Sequence, residues 1–157
     1  MIELRNILLP TDFSEPALTA TRYGLELARR FGARLHLLHV IEDPVVYLPM
    51  FESYPLPSRE EFEQFAQDRL DNWILPEDAM GIEIVRHWVH GAPLVEIVRA
   101  IEREKIDLAV VGTHGRGFAA HLLMGSVAEK VVRKAPCPVL TVRPDEHHFV
   151  HPAHETV

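Results

Sequence analysis

The chain has 157 residues, 47% hydrophobic and 25% charged, with a formal net charge of −7. That length buries one sizeable core but would cramp two, the composition is ordinary for a globular domain and excludes wholesale disorder, and the negative charge argues against sequence-independent binding to nucleic acid. One cysteine, Cys137, permits no internal disulfide; residues 1–6 lack the basic-then-apolar form of a signal peptide; and no apolar run nears the roughly 18 residues of a bilayer span, so a cytoplasmic protein without nucleic-acid or membrane partner is expected.

Strands and helices alternate along the chain. Asn6–Pro10 is a short apolar run and reads as a first strand, after which Asp12 and Ser14 can each cap a helix. Residues 16–31 form that helix, with Ala17, Ala20, Leu27, Ala28 and Phe31 at helical spacing and Gly32 as its stop. Arg34–Ile41 is a second strand; its His36 and His39 lie an odd distance apart, point to opposite faces and make no simple ligand pair. Ser58 and Glu61 form a capping box that opens a helix carrying Phe62, Phe65, Ala66, Leu70 and Trp73 on one face. Residues 82–89 read as a third strand. Pro93 starts a third helix striped by Leu94, Ile97, Val98 and Ile101. Residues 108–111 are the fourth strand, Ser126–Lys134 the fourth helix, and Val139–Val142 the fifth strand. Five strands separated by four helices imply a doubly wound α/β fold with a parallel sheet, ligands binding beyond the strand carboxyl ends where the winding reverses.

Two segments fall outside this rhythm. Residues 44–57 hold four prolines among apolar and aromatic residues, and read as a loop packed over the sheet edge, with a lid or a partner contact as the alternatives. Residues 1–143 form the single expected domain. Residues 144–157 form a tail with His147, His148, His151 and His154, expected to be mobile as terminal segments are, with metal capture as the lesser alternative because a loose tail imposes no ligand geometry.

The chemistry concentrates in residues 112–126. Gly112-Thr113-His114-Gly115 follows the apolar strand, and nine residues later Gly125-Ser126 opens a helix. Gly112 ends the strand where a side chain would obstruct a crevice, and Gly115 and Gly117 let the next turn wrap closely. The N–H groups of residues 113–118, from Thr113 to Phe118, would then converge on phosphate oxygens. His114 and Arg116 are placed to add hydrogen bonds or charge, or else face solvent. Ser126 can cap the helix and donate its hydroxyl to a phosphate at the helix N-terminus. Glycines that merely form turns, with a serine that merely caps, are the plain alternative. Asp12 would accept from a ribose hydroxyl or an adenine amino group, or simply cap the first helix. Val40 would supply an apolar wall for a purine.

Beyond this pattern, the runs Ile7-Leu8-Leu9-Pro10-Thr11-Asp12, Leu38-His39-Val40, His90-Gly91, Val110-Val111-Gly112-Thr113-His114-Gly115-Arg116-Gly117, Gly125-Ser126-Val127-Ala128-Glu129 and Ala135-Pro136-Cys137-Pro138-Val139 together resemble the universal stress protein family, including the Gly-x2-Gly-x9-Gly-Ser signature of its ATP-binding branch. The resemblance implies a homodimer with sheet order 3-2-1-4-5 and an adenine-nucleotide alpha-hydrolase-like fold. It also implies ATP, or AMP or ADP, with Pro10, Thr11 and Asp12 flanking the nucleotide and Val40 along the adenine. Gly112, Thr113, His114, Gly115, Arg116, Gly117 and Phe118 would cradle ribose and phosphates, with Gly125, Ser126 and Val127 at the phosphates. Mg²⁺ on the phosphates is expected. In that order the uncharged fifth strand is an exposed edge, which a symmetry mate would cover.

Neither a phosphate-binding lysine loop nor a nucleophile elbow occurs, so no enzyme and no catalytic residue is expected. The reading is a dimeric, nucleotide-dependent stress-response regulator acting on an unidentified protein partner. A nucleotide-free interaction module and a weak ATPase or adenylyl-type transferase are the alternatives.

Overall fold

The computed structural model describes residues 1–43, 55–113 and 126–144. The elements run β1 (Asn6–Pro10), α1 (Glu15–Phe31), β2 (Arg34–Ile41), α2 (Arg59–Trp73), β3 (Ile84–His90), α3 (Pro93–Arg103), β4 (Leu108–Gly112), α4 (Ser126–Lys134) and β5 (Val139–Val142). The strands form one parallel sheet in the order β3-β2-β1-β4-β5, as the resemblance implied. The winding reverses between β1 and β4.

Local signals set most element ends. Gly32 closes α1 in the left-handed conformation (φ 65°), which costs glycine nothing, and its N–H bonds the Ala28 carbonyl. Ser58 and Glu61 complete the reciprocal box at the start of α2. The third strand begins two residues later than its apolar pattern suggests. The Ile82 N–H turns back to the Ala79 carbonyl, and the ladder to β2 starts at the Glu83 carbonyl, which accepts from Leu35. At the same amino end of the sheet, the Asp107 carboxylate accepts the N–H groups of Arg5 and Asn6 and so ties the start of β1 to β4.

Alternate side chains along each strand enter opposite layers. Ile7, Leu9, Leu35, Leu37 and Val110 pack under α1 and α2 with Tyr23, Ala28 and Leu70. Leu8, Leu38, Ala109 and Val111 pack under α3 and α4 with Ile97, Ala100, Ile101 and Val131. The central strands β1 and β4 are covered on both sides. The edge strand β5 is not; its Thr141 is exposed. Two residues expected in apolar stripes lie outside the core: Phe31 at the end of α1 is 39% exposed, and Phe65 on α2 is 56% exposed.

His36 and His39 do point to opposite faces. His36 sits beside His87 on the α3 side, with ring nitrogens 3.4 Å apart, while its other nitrogen lies 3.3 Å from the side-chain amide oxygen Oδ1 of Asn6. His39 lies on the α2 side. All three rings have pKa values below the ordinary histidine value, first because burial disfavours the charged form. The unfolded chain therefore binds more protons once pH drops below about 6.5. Stability is expected to be full above that pH, to fall on acidification towards the folded-state values, and to level off below them. Below the ordinary glutamate range the loss resumes, because Glu63, hydrogen-bonded to His90 and Arg59, and Glu104, hydrogen-bonded to Arg103, have lowered pKa values. Thermal unfolding at pH 7.5 and 5.5 checks the histidine part: a lower midpoint at pH 5.5 is expected, and a smaller difference in His87→Gln.

Candidate functional site

A crevice opens where β1 and β4 part. Their register pairs only Ile7 with Leu108 and Leu8 with Ala109, although β1 continues to Pro10 and β4 to Gly112. Pro10 has no N–H to give a ladder. Above the parted carboxyl ends lies a cavity of about 960 Å³, lined among others by Thr11, Asp12, Val40, Gly112, Ser126 and Val127. That size is at the upper end for small-molecule sites. Asp12 and Gly112 meet at one crevice, as expected from the sheet order.

The turn after β1 is held by hydrogen bonds at each step. The Thr11 N–H bonds the Leu38 carbonyl (2.8 Å), extending the β1–β2 ladder by one residue. The Thr11 hydroxyl oxygen accepts from the Phe13 N–H (3.0 Å), and the Asp12 carboxylate accepts from the Ser14 N–H (3.0 Å). Phe13 adopts φ 63°, a left-handed backbone that costs a non-glycine residue about 1–2 kcal/mol. Its ring contacts hold it there, stacked on His39 at 4.4 Å and edge-on to Trp73 at 5.5 Å. His39 in turn donates Nδ1–H to the Thr11 carbonyl (2.8 Å), which fixes its neutral tautomer. Backbone strain at a ligand crevice is where such outliers tend to occur. Of the two candidates for the cap of α1, the structure selects Ser14. Ser14 is the N-cap of α1, accepting from Ala17, and Asp12 instead stiffens the turn that leads to it.

Gly112 has a reason beyond the expected one. A Cβ there would sit 2.1 Å from the Pro16 carbonyl oxygen and 2.9 Å from the Ala17 nitrogen, so the first turn of α1 by itself requires glycine, at a position that also lines the cavity. Thr113 is corrected. Its N–H bonds the Val142 carbonyl (2.8 Å) and its hydroxyl donates to the same oxygen (3.3 Å), which removes both donors from the expected phosphate cradle. Ser126 is the first described residue of α4, and with Val127 it lines the cavity. His114, Gly115, Arg116, Gly117, Phe118 and Gly125 lie outside the described residues, as do most of the proline-rich segment and the histidine tail beyond Pro144; of the former, Pro57 lines the cavity.

The cavity straddles the sheet. Leu38, Val40, Val111, Ile97 and Ala128 line it from the α3/α4 layer. Phe13, His39, Phe65 and Arg69 line it from the α2 side. Sequence reasoning missed this second group. The one available signal was the over-wide apolar face of α2, whose Phe65 the core does not take up.

Comparison with known proteins follows the same outline. The model of the universal stress protein family matches residues 3–143. Universal stress protein MJ0531 of Methanocaldococcus jannaschii is 35% identical over 140 residues, covering 88% of this chain and 82% of the relative. A universal stress protein of Thermus aquaticus is 37% identical over 142 residues, covering 88% and 98%. Among solved structures, protein MJ0577 superposes with a TM-score of 0.72 at 30% identity, covering 93% of this chain and all of that one. A universal stress protein in complex with cAMP (TM-score 0.61, 24% identity, 90% and 98% covered) shares the fold.

Proposed function

This chain belongs to the universal stress protein family, and from that premise we propose that it binds an adenine nucleotide in the cavity between β1 and β4 and acts as a dimeric, nucleotide-dependent regulator. The observation that carries the reading is the convergence of Thr11, Asp12, Val40, Gly112, Ser126 and Val127 on one cavity at the switch point of the sheet. The adenine lies along Val40, Asp12 accepts from the ribose or the adenine amino group, and the phosphates meet the free amides at the start of α4, where the helix dipole favours negative charge. Mg²⁺ enters on the phosphates. The family relative solved with cAMP supports an adenine nucleotide as the ligand class, and ATP is the form proposed. Mass spectrometry of the ligand released from purified protein tests the site: ATP, ADP or AMP in near-equal ratio to protein is expected, whereas ligand-free protein whose melting temperature is unmoved by ATP with Mg²⁺ would speak for a nucleotide-free interaction module.

Turnover is proposed to be negligible. Rapid phosphoryl transfer needs an oriented nucleophile and charge on the moving group. His39, the histidine lining the described cavity, stacks on Phe13 on the α2 side, away from Ser126 and Val127 where the phosphates are placed. A nucleotide that persists is suited to report its presence to a cytoplasmic protein partner. The dimer is proposed to form through β5, the edge strand next to β4, whose uncharged Val139, Leu140 and Thr141 offer a second copy a pairing surface. Light scattering at micromolar concentration should give twice the 17.9 kDa chain mass.

A further inference from the structure

The turn between β1 and α1 is held from a distance. Two non-glycine residues have positive φ among the described residues. Lys105 follows the end of α3, where a left-handed residue commonly stops a helix. Phe13 has no such reason. It is half-buried, lines the cavity and keeps φ 63° although it carries a bulky side chain. Such a conformation persists only where its surroundings over-determine it.

Those surroundings come from three elements. His39 on β2 stacks on one face of the Phe13 ring. Arg69 on α2 lays its guanidinium over the ring at 5.1 Å, on the face that His39 leaves. Trp73, one turn further along α2, meets the ring edge-on and is itself fixed to α1. Its indole N–H donates to the Thr21 hydroxyl (2.9 Å), which donates to the Ala17 carbonyl (2.8 Å). His39 also grips the residue before Asp12, through the Thr11 carbonyl. Asp12 thus lies between two held neighbours. The left-handed turn at Phe13 brings the Ser14 N–H back onto Asp12 Oδ1, and that bond orients the carboxylate. The other oxygen, Oδ2, has no hydrogen bond among the described residues.

We propose that Phe13 is a positioning residue for the nucleotide: clamped between His39 and Arg69 and set against Trp73, it holds the Asp12 carboxylate towards the ribose or the adenine. Arg69 and Trp73 then contribute to affinity through Phe13 rather than through the ligand. This rests on the nucleotide reading of the cavity.

Calorimetric titration of AMP tests it, beside the urea midpoint of each variant. Phe13→Gly keeps the left-handed backbone free of strain but loses the clamp; its affinity is expected to fall about tenfold, the scale of one hydrogen bond to a charged group. Arg69→Gln should weaken binding about threefold, as for one cation–π contact. Phe13→Tyr, which keeps the ring, should restore affinity. In an Asp12→Ala background, Phe13→Gly should have no further effect, because the carboxylate to be positioned is gone. A ring that merely fills space would lower the urea midpoint and leave affinity alone, or weaken binding equally with and without Asp12; either result overturns the proposal. In ligand-free protein, the Ser14 amide proton should shift little with temperature in wild type and Phe13→Tyr, as a hydrogen-bonded amide does, and steeply in Phe13→Gly. Arg69 is exposed, so Arg69→Gln keeps the fold and carries the test should Phe13→Gly unfold: wild-type affinity with an unaltered Ser14 amide would overturn the clamp. The two readings fail differently. AMP that does not bind wild type refutes the nucleotide site and this proposal with it, whereas AMP that binds wild type and every variant alike refutes the positioning role alone.

Discussion

Gly112→Ala is expected to cost about 3 kcal/mol or more of stability, at or above the top of the range for overpacked cores. The added Cβ would meet the Pro16 carbonyl oxygen at 2.1 Å and its carbon at 2.3 Å. Both are backbone atoms in the first turn of α1, and no rotamer change moves them aside. Relief requires α1 to shift away from β4, which would disturb the Ser14 cap and the turn at Phe13 on the way. Gly24→Ala is the internal comparison. Its Cβ would meet the Leu9 side chain at 2.7 Å, and a side chain can turn, so a loss of about 1–2 kcal/mol is expected. With total stabilities of about 5–15 kcal/mol for a domain of this kind, the first variant should unfold at markedly lower urea with an unchanged slope, and the second only slightly earlier. Equal midpoints for Gly112→Ala and wild type would contradict the close approach of α1 to β4.

The second large effect concerns binding. Val40 is half-buried, lines the cavity from the α3/α4 layer and sits at the carboxyl end of β2 next to the crevice. Val40→Trp would place an indole in the space assigned to the adenine. Adenine-nucleotide affinity is expected to fall at least a hundredfold, about 2.7 kcal/mol. The fold should survive, because the cavity has room for the added ring. Calorimetric titration of the variant beside its urea midpoint checks both halves. Unchanged affinity in a folded Val40→Trp would move the purine elsewhere.

The parts of this molecule written in short stretches of sequence were legible there. Ser58 with Glu61, Gly32 after an apolar-periodic helix, and the apolar runs of β1 and β4 act through neighbours within a few residues, and each element appears where those signals put it. The order of the strands came from resemblance, since right-handed crossovers alone leave several orders open. What was not legible depends on contacts between distant segments. Gly112 reads only as a ligand-clearing glycine until Pro16, 96 positions earlier, is seen against it. Thr113 reads as a phosphate donor until β5 takes both of its hydrogens. Asp12 and Ser14 are equal candidates for the same cap by residue type, and only backbone geometry separates them. Phe65 fits the periodicity of a core stripe, yet α2 carries it past the edge of the sheet to the rim of the cavity, together with Arg69.

The central claim is that the crevice between β1 and β4 holds an adenine nucleotide, and isothermal titration of ATP with Mg²⁺ into ligand-free protein tests it most directly. Saturable binding of one nucleotide per chain, weakened at least a hundredfold by Val40→Trp, is the predicted result. A folded, ligand-free protein that gives no saturable heat with ATP, ADP or AMP would contradict it.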